Sequence, residues 1–446
     1  MPQSRAIDVS EFIDRSRISP FQVATIAICG LVAMLDGFDA QVIGYVIPAI
    51  AKAWGVQGPA IGATFKWAVF WGLVGLTLGA LGGGPLADRF GRKTVMLASI
   101  LIFGVFSILT AGATDITSLS LFRFLTGLGL GGSMPNTIAL TAEYSPRRLR
   151  TTLITVMFAG FPIGNVVAGL ASAALIEPYG WQSTFYAGGI APLALLPFAL
   201  LLLPESVRFL VAQRRSGERV AATLGRIALD PALRPDARYT LPEAELKGLP
   251  VKHLFRDGRA AGTLLLWLAF FMNLLIIYFF VTWLPQLLGQ VGLSAQHSIL
   301  TAALFNSGGA IGGVVVGILT DRSEPYKLVV GAFAAAVPCI VGVALAGASL
   351  PMLVVSIFLT GVTVVGAQNG INALAARLYP TDVRSTGVSW GLGIGRIGSI
   401  LGPFIGGVLI AMGWSPNTLF LVVAVPAAIA TVGMIFMSRT ALARHA

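Results

Sequence analysis

Two carboxylates, Asp36 and Asp39, stand three residues apart inside a largely apolar run from Phe21 to Ile50. About 20 apolar residues suffice to cross a bilayer as a helix, and an aspartate at the centre of such a helix costs roughly 2.5 to 3.5 kcal/mol. At i and i+3 the two side chains share one helix face, so both can turn toward a polar cavity and away from lipid. Two carboxyls this close in a medium of low dielectric cannot both be charged freely. The chemistry they suit is the uptake and release of a proton; the alternative is a structural pair satisfied by neighbouring helices. Two arginines also lie in apolar runs: Arg123, one to two turns from an end, and Arg396, near a middle. The planar fork of Arg396 suits a carboxylate in bidentate geometry, the alternative being a tie between domains.

The elements that must hold these groups follow from composition. Of 446 residues, 56% are apolar and only 11% charged, with 53 glycines and 24 prolines, which is the balance of an integral membrane protein. Twelve apolar runs are expected to span as helices, at 21–48, 60–83, 94–112, 119–142, 152–175, 184–203, 262–285, 298–319, 328–347, 351–375, 386–410 and 416–437. With the N-terminus inside, the inward connections hold 26 of the 30 basic residues, and the positive-inside rule then places both termini in the cytoplasm. The net charge of +11 is therefore topological and points to no nucleic-acid partner. Residues 1–20 lack a signal-peptide pattern, so no cleavage is expected. Cys29 and Cys339 lie far apart in apolar runs, and His253, His297 and His445 are dispersed, so neither a disulfide nor a metal or other cofactor is expected.

The longest polar segment, 204–261, separates two expected six-helix bundles at 1–203 and 262–446; within it Arg208 to Arg226 reads as an amphipathic surface helix, with breaks at Asp230 to Asp236 and at Leu249-Pro250. The halves repeat: Gly84-Pro-Leu-Ala-Asp88-Arg89 returns as Gly317-Ile-Leu-Thr-Asp321-Arg322, and Pro146-Arg-Arg-Leu-Arg150 as Pro380-Thr-Asp-Val-Arg384. Duplicated bundles around a midplane site are a common plan of secondary transporters. Gly127-Leu-Gly-Leu-Gly-Gly132 and Gly393-Ile-Gly-Arg-Ile-Gly398 match a dinucleotide fingerprint, but inside apolar helices they read as packing surfaces.

Gly84 to Lys93 resembles the loop between spans two and three of the major facilitator superfamily, and Arg123-Phe-Leu-Thr-Gly127 resembles its fourth-span arginine motif. Asp36-Gly-Phe-Asp39, Gly131 to Asn136 and Ser389 to Gly398 together resemble the aromatic acid:proton symporter branch, some of whose members carry 4-hydroxybenzoate and protocatechuate. One position departs: where hydroxybenzoate carriers often have histidine beside the lysine between spans eight and nine, this chain has Tyr326. The resemblance implies an all-α fold of twelve spanning helices in two bundles, in a bacterial inner membrane and acting as a monomer. It also implies that spans one and four share a cavity wall, so that Arg123 pairs with Asp39 or Asp36. The implied activity is proton-coupled import of an aromatic carboxylate, with Arg396 for the anionic end of the cargo. Phe38, Phe161, Tyr278 and Trp390 are candidates for packing the ring, and Asn136, Asn165, Asn273, Asn306, Gln368 and Asn372 for polar help. Gly84, Asp88, Arg89, Arg92, Glu143, Arg150, Asp321, Arg322 and Arg384 are candidates for an inner gate, against the alternative of a solvated charge set. The rivals are another cargo on the same fold, such as an aliphatic dicarboxylate, a sugar acid or a drug, and a transport-like receptor. An enzyme has no residues to stand on here.

Overall fold

All twelve apolar runs are helical in the computed structural model, which describes residues 7–213, 217–228, 233, 234, 237, 239, 240, 251–256, 258–322, 324–379 and 383–442. In the first half these helices are α2 (Pro20–Ala53), α3 (Ala60–Phe90), α4 (Arg92–Ala111), α5 (Ile116–Glu143), the pair α6 (Arg150–Phe158) and α7 (Gly160–Tyr179), and α8 (Gln182–Leu202). In the second they are α11 (Ala260–Gln290), α12 (Ala295–Arg322), α13 (Pro325–Leu345), α14 (Leu350–Leu378), α15 (Arg384–Ala411) and α16 (Pro416–Leu442). Eleven of the twelve are long and apolar enough to cross a membrane on composition alone. The twelfth, α5, is as long but diluted by Gly127, Gly129, Gly131, Gly132, Ser133 and Asn136. The chain is thus an all-α membrane protein of twelve spanning helices. Short helices flank them: α1 (Val9–Arg15), and in the polar segment α9 (Val207–Ala212) and α10 (Gly217–Gly225). Amphipathic character appears in α10, which buries Val220 and Leu224; the expected breaks at 230–236 and 249–250 lie largely outside the described residues. Among those described, the only strand pairing is parallel, between Ile7–Asp8 and Tyr239–Thr240.

Local chemistry sets the helix limits. Asp115 caps α5 by accepting from the backbone N–H groups of Thr117 (2.7 Å) and Ser118 (2.9 Å), and the Ser118 hydroxyl returns to the Asp115 backbone as a capping box. Those bonds, Ser118's first, hold the Asp115 carboxyl below the usual carboxylate range. The fifth span is interrupted at Ala159 because Pro162 has no N–H to give to the Phe158 carbonyl. The second span, expected to end at 83, runs on through Pro85 to Phe90, and the chain then reverses at Gly91 alone, with φ 96°.

Packing divides the chain into two compact units. One comprises Met1–Ala40, Trp71–Gly164 and Phe185–Glu245, the other Gln41–Phe70, Asn165–Thr184 and Leu246–Ala446. The core of the first unit gathers Cys29, Val32, Met96, Phe103, Leu130 and Tyr144. That of the second gathers Leu266, Phe270, Phe333, Ile371, Leu374 and Met434. Glycines let backbones touch within each unit. A Cβ on Gly75 of α3 would collide with the Phe124 carbonyl of α5, and one on Gly127 with the Gly72 carbonyl. In the second unit a Cβ on Gly308 of α12 would collide with the Phe358 carbonyl of α14, and one on Gly361 with the Phe305 carbonyl. Most of the glycines that imitate a nucleotide fingerprint are thus spent on helix contact: Gly127 and Gly131 of α5 against α3, Gly129 and Gly132 against α4, and Gly395 and Gly398 of α15 against α11.

Candidate functional site

In the first unit α2 carries both aspartates into the interior, Asp36 at 4% and Asp39 at 1% exposure. Arg123 of α5, itself 5% exposed, sets Nη1 2.9 Å from Asp39 Oδ2 and 3.1 Å from Oδ1. Nη1 donates to Oδ1, Oδ2 lies at ion-pair distance without a hydrogen bond of its own, and the Arg123 Cζ lies 5.8 Å from the centre of the Phe185 ring. The Ser107 hydroxyl of α4 is within donating distance of Asp39 Oδ1 (3.4 Å) and of the Phe185 carbonyl (3.2 Å). Taking such a pair out of water costs several kcal/mol per ion, and removing one partner afterwards costs about 3 to 5 kcal/mol. Phe38 is buried beside this pair, its ring edge against Gly188 of α8. Asn136 spends its amide on the framework, donating to the carbonyls of Gly132 (2.9 Å) and Gly83 (3.4 Å).

At one end of the same unit lies part of the charged set named as gate candidates. Arg92 pairs with Glu143, and Glu143 also accepts from the Ser206 hydroxyl. Glu205 takes the backbone N–H of Lys93 (3.1 Å), and its carbonyl accepts from the Tyr144 hydroxyl (2.6 Å). Arg150 donates to the Ser145 carbonyl at 3.4 Å. Gly84 has open space about it, and Asp88 and Arg89 are exposed, the guanidinium of Arg89 resting over Phe90. The side chains of Asp321, Arg322 and Arg384 lie outside the described residues.

The second unit holds a polar set that is largely uncharged. Arg396 of α15 is half-buried and donates from Nη1 to the Tyr278 hydroxyl of α11 at 3.3 Å; among the described residues no carboxylate stands within ion-pair distance of it. Asn273 donates to Gln368 (2.9 Å) and to the Val364 carbonyl (3.2 Å), and Gln368 donates on to Asn372 (3.3 Å). Asn165 of α7 donates to Asn306 of α12 at 3.4 Å. Trp390 is exposed and stacks on Trp267, centroids 5.8 Å apart, and Phe161 is half-buried on α7. Sequence reasoning passed over Ser107, Glu205, Ser206, Gln41 and Tyr45. Glu205 had a signal, an acid directly after the sixth span; Ser107 is one hydroxyl in an apolar run and had none.

Comparison with known proteins adds a relationship. The family model described as Major Facilitator Superfamily matches residues 29–349 and 328–445. The 4-hydroxybenzoate transporter of Pseudomonas aeruginosa is 42% identical over 444 residues, covering 98% of this chain and 96% of that protein. A gallate transporter of Pseudomonas putida is 41% identical over 427 residues, covering 96% and 94%. Among solved structures, a bacterial homologue of the human lysosomal transporter Spinster, inward-facing and unoccupied, superposes with a TM-score of 0.74 over 94% of this chain and 98% of that one; at 17% identity this is a likeness of fold.

Proposed function

Because the chain belongs to the Major Facilitator Superfamily, and so is a multi-pass membrane transporter and not an enzyme, we propose that it imports a hydroxybenzoate-like aromatic carboxylate with protons across the bacterial inner membrane by alternating access. The observation that carries this reading is the contrast between two arginines set in spanning helices. Arg123 is already neutralised by Asp39, whereas Arg396 faces a phenol and has no counter-charge among the described residues. A cation of that kind favours an anion arriving from solution, and its planar fork can take a carboxylate with two parallel bonds. The cargo's carboxylate docks at Arg396 beside Tyr278, and its ring lies among the aromatic and amide side chains of the second unit. The proton is handled in the first unit, where Asp36 sits one helical turn from the Asp39–Arg123 pair. The halves, 1–203 and 262–446, carry out this cycle as a monomer in the bilayer, with both termini and the 204–261 segment in the cytoplasm and no nucleic acid or cofactor involved. The inner charged residues, Arg92 and Glu143 among them, shape the mouth that opens to the cytoplasm.

Purified protein in liposomes tests the reading. Labelled 4-hydroxybenzoate should show counterflow and should accumulate when the lumen is made alkaline. Aliphatic dicarboxylates and sugar acids should not compete. Counterflow of a sugar acid or dicarboxylate in place of aromatic acids would move the cargo class, and accumulation indifferent to the pH gradient would remove the proton.

A further inference from the structure

Among the buried polar atoms of the second unit that lack a hydrogen bond, those of Tyr45, Asn165 and Asn306 stand out because they lie together. Tyr45 of α2 is 1% exposed, and its hydroxyl faces the side chains of Asn306 and Gln41 without a well-formed bond to either. Gln41 is engaged elsewhere, its amide directed to the Val281 carbonyl at 3.4 Å. The phenol is held from behind by Gly169 of α7, where an added Cβ would come within 3.2 Å of the hydroxyl oxygen. Asn165 and Asn306 share one bond of 3.4 Å, which leaves Asn165 Oδ1 and Asn306 Nδ2 buried with no partner. Reversing both amides changes the atoms but not the sum: the pair still shows one orphan acceptor and one orphan donor. Buried polar atoms are almost always paired, so three neighbouring unpaired atoms on three helices suit a ligand group that can both donate and accept.

We propose that Tyr45, Asn165 and Asn306 form the subsite that recognises a ring hydroxyl of the cargo and so sets a preference for hydroxylated over unsubstituted aromatic acids. The inference rests on the aromatic-acid reading above and deepens it. A phenolic hydroxyl is one donor and one acceptor, which is the complement of what the amide pair leaves open. Entering between them, it gives its proton to Asn165 Oδ1 and accepts from Asn306 Nδ2, while the Tyr45 hydroxyl serves its second lone pair. The 3.4 Å bond from Asn165 Nδ2 to Asn306 Oδ1 uses neither of these atoms, so it stays in place while the new bonds form. Asn273 offers no equivalent, since both its bonds are donated and only an acceptor is left.

The test is competition against labelled 4-hydroxybenzoate by benzoate and by 4-fluorobenzoate, which is close in size but has no proton to give. In the wild type both should compete at least about tenfold more weakly than unlabelled 4-hydroxybenzoate. In Asn165→Leu and Asn306→Leu that preference should shrink by about 5- to 10-fold, and in Tyr45→Phe by about threefold, as for loss of one hydrogen bond. Should the leucine variants fail to reach the membrane, the wild-type ligand series and Tyr45→Phe decide the matter. A wild type that takes all three acids equally, or a preference unchanged in every variant, overturns this subsite alone. A wild type that takes no aromatic acid overturns the cargo reading and this inference with it.

Discussion

The seam between α3 and α5 and the seam between α12 and α14 are the same piece of architecture used twice. Gly75 and Gly308 stand 233 residues apart, and each lies where any side chain would strike a phenylalanine carbonyl, Phe124 in one case and Phe358, 234 residues on, in the other. Gly127 and Gly361 repeat the relation toward Gly72 and Phe305. What differs is the polar load. Carried forward by 234 residues, Asp39 becomes Asn273 and Arg123 becomes Ile357, which is fully buried. A buried ion pair in the first copy answers to an amide, bonded to Gln368, in the second. Backbone contact leaves no room for a side chain at these glycines in either copy. Charge in the membrane adds little stability and costs desolvation, and at these equivalent positions only the first copy carries it. The proposed function puts proton coupling in the first half, with the ion pair, and anion recognition in the second, with Arg396.

The strongest way to break that division is to give the first copy the residues of the second. Asp36→Asn should abolish uphill accumulation of cargo while exchange down its gradient survives, and Asp39→Asn should do the same while also destabilising the fold by leaving Arg123 without its counter-charge; a variant of either that still concentrates cargo in an imposed pH gradient would take coupling away from that carboxyl. Arg123→Ile alone strands a buried carboxylate and should destabilise the folded protein by about 3 to 5 kcal/mol. Combining it with Asp39→Asn removes both charges, so the double variant should unfold in detergent close to the wild-type temperature and still not accumulate.

Next in size is Arg396. Arg396→Lys keeps the charge and loses the fork, and Arg396→Ala loses both. Apparent affinity for the carboxylate cargo should fall by about tenfold in the first and up to about a hundredfold in the second, as for a charge-assisted bond, with normal protein abundance. Unchanged affinity in both would return the cargo to Arg123 and merge the two roles in one half. A smaller effect sharpens the equivalence of the seams: Gly75→Ala and Gly308→Ala should each destabilise by about 1 to 3 kcal/mol through overpacking, and by similar amounts. Detergent thermal unfolding reads both.

How much of this was open to a reader of the sequence depended on physical cost. The spans were legible because apolar length is dictated by the bilayer, yet α3 overran its expected end at 83, since Pro85 near a helix end breaks less than its reputation suggests. The break at Ala159 needed the geometry of Pro162. The meeting of Arg123 with an aspartate followed from family resemblance and the expense of a lone buried cation; which aspartate did not. Asn165 and Asn306 were legible as polar residues in apolar runs, but not as a pair with atoms to spare. Tyr45 gave no sign at all, since an amphipathic ring in a helix looks like packing until its hydroxyl is found without a partner. Spacing along one helix says what shares a face and nothing of what that face meets.

The smallest expected effect is a null one, and it bears on how completely the two halves divide the work. A monocarboxylate carried with one proton moves no net charge, so only the pH gradient and the cargo's own gradient drive it. With two protons one positive charge moves inward, and a potential of about 100 mV would add roughly 2.3 kcal/mol of drive. Asp36 and Asp39 could in principle hold a proton each. A proton on Asp39, however, removes the counter-charge that Arg123 Nη1 meets at 2.9 Å and leaves a guanidinium of 5% exposure without it, a loss on the scale of breaking a buried pair, about 3 to 5 kcal/mol. One proton per cargo is therefore expected, with the ion pair intact. In liposomes with a valinomycin-set potential, inside negative, and no pH gradient, 4-hydroxybenzoate should not rise above its equilibrium level. Potential-driven accumulation would show that both aspartates are loaded in each cycle and that the Asp39–Arg123 pair opens during transport.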